Sequence, residues 1–215
     1  MISYLNNKLE FPSVDQADED GLLAIGGDLS PERLLIAYEN GIFPWFTEDS
    51  SILWWSPDPR MVLQPSQIKI SKSMRKELRG NKFQLTCNTQ FEKVINLCGN
   101  IKRLGQEEGS WITSEMKEAY ILLHKKGIAK SYEVWAEGEL VGGLYGLDLG
   151  HVFCGESMFS KVSNASKFAF IKLAQELEEK NYSLIDCQMY TEHLESLGAD
   201  EIPREEFLHI LKTTK

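Results

Sequence analysis

Glu156 stands inside an apolar run, HVFCGESMFSKVSN (His151 to Asn164), and Asp186 and Gln188 close a second one, LIDCQ (184–188). A carboxylate among residues that would otherwise build an ordinary core strand can take a proton, attract a cation or orient a nucleophile. An amide beside it can accept a hydrogen bond but cannot store a proton. Successive strand residues point to opposite faces, so Asp186 and Gln188, two apart, can share one. A helical pattern, NASKFAFIKLAQELEEKN, lies between the two runs. The expectation is a site bracketed by two polar-tipped strands with a helix across them.

Other chemistries compete for the same residues. A serine hydrolase using Ser157 would need a G-x-S-x-G elbow followed by an acid and a histidine. Gly155-Glu156-Ser157-Met158-Phe159 lacks the second glycine, although Asp186 and His193 follow in the right order. A zinc site from His151, Cys154, Cys187 and His193 would be irregular in spacing, and none is expected.

Positioning these groups falls to elements with clear signals. Ser30 and Pro31 open a helix that carries Leu34, Leu35 and Tyr38 and stops at Asn40-Gly41. Ser71 and Gly80 bound a second, whose Lys72, Arg75, Lys76 and Arg79 recur at helical spacing on one face, opposite Met74 and Leu78. Between Lys69 and Lys82 six basic residues meet one acid, a local +5 that leaves −14 for the rest of a chain whose total is −9. A one-signed face suits phosphate binding better than a merely solvated surface, which mixes signs. FQLTC alternates as a strand, and Asn88 is expected to cap the helix after it. Thr113 caps a helix burying Met116, Ala119, Tyr120 and Leu123. Strands with turns at Glu137-Gly138 and Asp148-Leu149-Gly150 form an antiparallel meander, and Pro203 to Leu211 reads as a last helix.

Residues 1 to 62 read as a small unit with little regular structure beyond the Ser30 helix, and SPDPR marks the passage into a larger unit, 63 to 215. Trp45, Trp54 and Trp55 crowd together. Trp54 and Trp55 read as core, whereas Trp45, beside Pro44 and a polar loop, could stack a base. Trp111 stands just before the Thr113 cap. The element order of the larger unit is that of an α+β acetyltransferase-like domain. The glycine-rich pyrophosphate loop that such domains use for coenzyme A is replaced by MFSKVSNASK, so no coenzyme A is expected. A hydrophobic fraction of 42% over 215 residues allows one core plus a satellite. No apolar run is long enough to span a membrane. Four cysteines without a CxxC pair read as buried free thiols in a reducing cytoplasm.

The strings GLLAIGGDLSPERLLIAYENGIFPWF, LWWSPDPR, EEGSWIT, ELVGGLYG, FCGESMFS, NASK, LIDCQ and SLGADEIPR closely resemble the leucyl/phenylalanyl-tRNA–protein transferase family, from about Phe11 to Phe207. The resemblance implies a bacterial, cytoplasmic enzyme with a small N-terminal domain and a GNAT-like catalytic domain whose mixed sheet is mainly antiparallel and flanked by helices. Such an enzyme moves Leu or Phe, and Met less well, from aminoacyl-tRNA to a protein beginning with Arg or Lys, creating an N-degron. Neither metal nor cofactor is implied. Carried over by residue, Asp186 holds and polarises Gln188, Glu156 attracts the cationic acceptor or orders the network, and the tRNA's terminal ribose can shuttle the proton. Leu144, Phe153, Met158, Phe170 and Ile185 form the amino-acid pocket. Trp45 and Trp111 take the terminal adenosine, and Lys72, Arg75, Lys76 and Arg79 the tRNA phosphates. The competing class is a catalytically inert tRNA- or N-terminus-binding module on the same fold.

Overall fold

Three helix starts act as the sequence predicts. The Ser30, Ser71 and Thr113 side chains accept the N–H groups of Arg33 at 3.4 Å, Met74 at 3.2 Å and Met116 at 3.2 Å. They open α1 (Pro31–Glu39), α2 (Lys72–Arg79) and α4 (Ser114–Lys125), while α3 spans Phe91–Gly99. The computed structural model describes residues 2–100 and 112–213. Asn88 does not cap α3. It takes a left-handed φ of 58°, and its side chain accepts the Ser131 N–H at 2.9 Å. Buried Glu133 reaches the start of α3 instead, accepting from Thr86 Oγ1 (2.6 Å), Thr89 Oγ1 (2.9 Å), Ser131 Oγ (2.6 Å) and the Gln90 N–H (3.4 Å).

Residues before 60 carry more regular structure than their short apolar runs suggest. β1 (Ser3–Leu5), β2 (Leu22–Gly26), β3 (Phe43–Pro44) and β4 (Leu53–Trp55) form a four-stranded sheet in the order β1-β2-β4-β3. Trp54 is fully buried in it and donates Nε1–H to Gly26 O at 2.8 Å, which satisfies the one polar atom a buried indole carries.

The larger sheet comprises β5 (Arg60–Leu63), β6 (Gln84–Cys87), β7 (Ala129–Ala136), β8 (Glu139–Asp148), β9 (Val152–Ser160), β10 (Leu184–Gln188) and β11 (Asp200–Ile202). Their order is β11-β5-β10-β9-β8-β7-β6, and only β9 and β10 run parallel. It is an α+β fold with a mixed, mainly antiparallel sheet. The sheet starts at Arg60, before the boundary expected at 62, because Arg60 and Met61 pair with β11. Glu137 (φ 51°) and Gly138 (φ 80°) make the two-residue turn between β7 and β8, a conformation matched to strand twist.

Helices cover both faces. Buried residues of α1, α3, α4 and α7 (Arg204–Lys212) join the apolar cluster on one side, which also takes in Leu23, Trp54 and Phe43 of the smaller sheet. α5 (Ala165–Glu179) and Met74 of α2 belong to the cluster on the other. Close approach of α5 depends on Gly142, where a Cβ would lie 2.5 Å from Ala165 Cβ. A short α6 (Glu192–Ser196) follows β10. Cys98, Cys154 and Cys187 are buried thiols as expected; Cys87, on the edge strand β6, is exposed. Among the described residues, no helix is long and apolar enough to cross a membrane.

Candidate active site

Two β-bulges aim the polar side chains. On β9 the partners of Tyr145 and Gly146 are Ser157 and Gly155, leaving Glu156 as the extra residue. The inside-outside alternation slips there. Cys154 and Phe159 join one apolar cluster although five residues apart, while Phe153 and Met158 lie on the opposite side. On β10 the partners of Val62 and Met61 are Asp186 and Gln188, so Cys187 is the extra residue. Gln188 takes a left-handed φ of 61°, a strained state for a non-glycine residue that surrounding contacts must hold, of the kind found at functional sites.

Pairing between β9 and β10 ends at Asp186 and Cys154, although β9 continues to Ser160. A cavity of about 490 Å³ opens where they part, lined by Gly155 to Met158 and by Cys187 to Tyr190, with Leu144, Phe170 and Leu173 supplying apolar wall. Phe43, Pro44 and Trp45 of the smaller sheet reach the same space. Phe153 and Ile185, expected in the amino-acid pocket, are fully buried in the α5-side core and are not among its lining residues. Both belong to the same apolar cluster as Phe170, against which Met158 packs; for Phe153 and Met158 it is the bulge at Glu156 that brings residues five apart to one side. Ser157 lies in the middle of β9 rather than on a strand-to-helix elbow, which removes the geometry a hydrolase nucleophile would require.

Glu156 Oε1 accepts from Gln188 Nε2 at 2.9 Å, and Glu156 Oε2 from the Tyr120 hydroxyl at 3.0 Å. Tyr120 is in turn hydrogen-bonded to Tyr38 of α1. Burial in the apolar wall lifts the Glu156 carboxyl to about 7, against the pull of the two tyrosine hydroxyls, and nearby Asp186 raises it further while Arg60 opposes. With its Nε2 committed to Glu156, Gln188 keeps Oε1 for a partner in the cavity.

Asp186 makes its contacts beneath the cavity. Arg60 Nε and Nη2 donate to its two carboxylate oxygens at 2.8 Å each, and the Gln188 main-chain N–H donates to Oδ1 at 3.0 Å. Asp186 therefore meets Gln188 through the backbone, not through the side-chain amide. Trp45 lines the cavity, its ring 5.5 Å from that of Trp55. Trp111 lies outside the described residues. Lys72, Arg75, Lys76 and Arg79 are all exposed on α2, away from buried Met74, and no hydrogen bond or ion pair engages their side chains among the described residues. Arg60, Tyr38 and Tyr120 were missed as site residues. SPDPR reads as a boundary, and the tyrosines sit at ordinary core positions of their helices.

An apolar cavity with a carboxylate and an amide converging on its wall suits an enzyme that aligns two substrates for group transfer. Comparison with known proteins specifies the group. A family model described as leucyl/phenylalanyl-tRNA protein transferase matches residues 62–212, and that of its N-terminal domain matches 27–58. Relatives named leucyl/phenylalanyl-tRNA–protein transferase include one from Flavobacterium johnsoniae, 64% identical, covering 98% of this chain and 99% of the relative. Another from Christiangramia forsetii is 62% identical over 97% and 99%, and one from Nitrosomonas eutropha 52% over 98% and 90%. The chain belongs to the leucyl/phenylalanyl-tRNA–protein transferase family and is an aminoacyltransferase. Among solved structures it is similar to a GCN5-related N-acetyltransferase from Kribbella flavida (TM-score 0.41, 9% identity, 78% of this chain and 59% of that one).

Proposed function

We propose that the enzyme transfers Leu or Phe, and Met less readily, from aminoacyl-tRNA to the α-amine of a protein beginning with Arg or Lys, in the cytoplasm and without a cofactor, creating an N-degron. The observation that carries this reading is the Glu156–Gln188 hydrogen bond on the wall of an apolar cavity between the splayed strands.

The aminoacyl ester is already activated, so the enzyme contributes mainly alignment and proton management. The amino-acid side chain enters among Leu144, Met158 and Phe170. Such a wall selects by shape, at about 1–3 kcal/mol per methylene, which fits acceptance of three large apolar side chains. Trp45 offers the terminal adenosine a ring to stack on, and the exposed basic face of α2 supplies phosphate contacts without sequence reading.

An acceptor α-amine has a pKa of about 7.7–8.0 and is mostly protonated at neutrality. Glu156, held at about 7, lies close enough to that value for proton transfer to cost little. The ammonium binds beside the carboxylate and gives it a proton. The freed amine, oriented by Gln188 Oε1, attacks the ester carbonyl; the C–N bond forms, the ester C–O bond breaks, and the proton that the nitrogen sheds passes to the released ribose oxygen. The test is transfer of labelled leucine from charged tRNA to a peptide with N-terminal Arg. Absence of transfer, or equal transfer to an N-terminal Asp peptide, overturns the reading. An inert binding module would lose tRNA affinity and nothing else on Gln188→Ala, whereas this enzyme loses turnover.

A further inference from the structure

We propose that Arg60 is a positioning residue for transfer. Acting through Asp186, it fixes the main chain of Gln188 so that the Gln188 amide meets Glu156 at the cavity wall. The proposal rests on the reading of this cavity as the transfer site.

The chain of contacts is continuous. Gln188 is the last residue of β10, beyond a bulge and in a left-handed conformation, so the sheet ladder alone does not define where its side chain points. The Asp186 carboxylate supplies the missing constraint by accepting the Gln188 N–H at 3.0 Å. A carboxylate on a short side chain can rotate, and its aim is set by what grips it. Here the grip is a two-point fork, with Arg60 Nε on Oδ1 and Nη2 on Oδ2, which fixes the plane of the carboxylate as well as its position.

The fork is itself immobilised. The Arg60 guanidinium carbon lies 4.8 Å from the ring centre of Phe43 and 4.7 Å from that of Phe207, so aromatic faces from β3 and α7 hold it. Arg60 and Asp186 are each 1% exposed. Charge neutralisation alone would be served by any buried cation. The planar two-point contact, and its direct link to the N–H of a strained residue whose side chain reaches the cavity, point to a demand for orientation.

Arg60→Lys keeps the charge and loses the fork. The expected result is faster hydrogen exchange at the Gln188 amide, a kcat lower by about 10²-fold, and an unchanged KM for leucyl-tRNA. An unchanged Gln188 amide overturns the proposal, as does a displaced amide with wild-type kcat, or a kcat loss that merely tracks lost tRNA affinity and thermal stability. Should Arg60→Lys not fold, the double variant Arg60→Met/Asp186→Asn removes both charges at similar volume and leaves no uncompensated buried charge. Wild-type exchange at its Gln188 amide overturns the proposal. If the wild-type enzyme transfers no leucine, the reading of the site fails on its own, and the exchange measurement still decides what Arg60 holds.

Discussion

Glu156 is the residue at which opposing influences balance: an apolar wall lifts its pKa to about 7 while tyrosine hydroxyls stabilise its charged form. Transfer should therefore rise with pH along a limb centred near that value, and Glu156→Gln should abolish the limb and lower kcat, as a pH–rate profile would reveal. Tyr120→Phe removes one stabilising donor, so the limb should move to higher pH. The same group makes the fold pH-dependent. Its folded pKa lies above the unfolded one, so its contribution is complete below about pH 4.5 and is lost as pH rises through about 7, costing about 2–3 kcal/mol. Urea unfolding at pH 5 and pH 8 should show this difference for wild type and not for Glu156→Gln. The oddity of Glu156 is legible in the sequence because a carboxylate interrupts an apolar run. Its tyrosine partners are not, since Tyr38 and Tyr120 occupy positions any core aromatic would fill.

At the scale of elements, capped helices and the β7–β8–β9 meander are written locally, in cap residues three positions from their N–H groups and in paired turn residues. What escapes local reading is non-local or very short. The strands before residue 60 hold two to five residues each, too few for a period to register. Arg60 and Asp186 are 126 positions apart, and nothing in either neighbourhood names the other. The bulges defeat strict alternation, which would have set Met158 on the side opposite Phe153. Gly146 protects the β9 bulge: an added Cβ would lie 2.2 Å from Cys154 O and 2.6 Å from the Phe153 ring. Gly146→Ala should lower stability by about 1–3 kcal/mol or more and depress activity further than stability explains, measured by urea unfolding beside the transfer assay. Glu133→Ala strips the hydroxyls of Thr86, Thr89 and Ser131 of their acceptor. A loss of about 1–3 kcal/mol is expected, since the buried Ser131 hydroxyl goes unsatisfied while half-buried Thr86 and exposed Thr89 keep their bond to each other, and thermal melts would record it.

Across the whole molecule, charge is divided. An acidic body carries one strongly basic helix face, so approach of a polyanion should be oriented as well as attracted. Single alanine substitutions at Lys72, Arg75 or Arg79 should weaken tRNA binding, and each should flatten the plot of log affinity against log salt by about 0.7–0.9, readable by filter binding across a salt series. An unchanged slope would return these side chains to plain solvation. The Tyr38–Tyr120 link has a consequence for how this chain can be divided. Tyr38 belongs to the first matched segment, whereas Glu156, which the linked hydroxyls serve, belongs to the second. A fragment starting at residue 59 would keep every residue of the two bulged strands yet lose the outermost member of that hydrogen-bond chain, together with the Phe43 and Trp45 side of the cavity. Supplying residues 1–58 as a separate peptide should then restore turnover, making the early part of the chain a component of the catalytic apparatus in its own right.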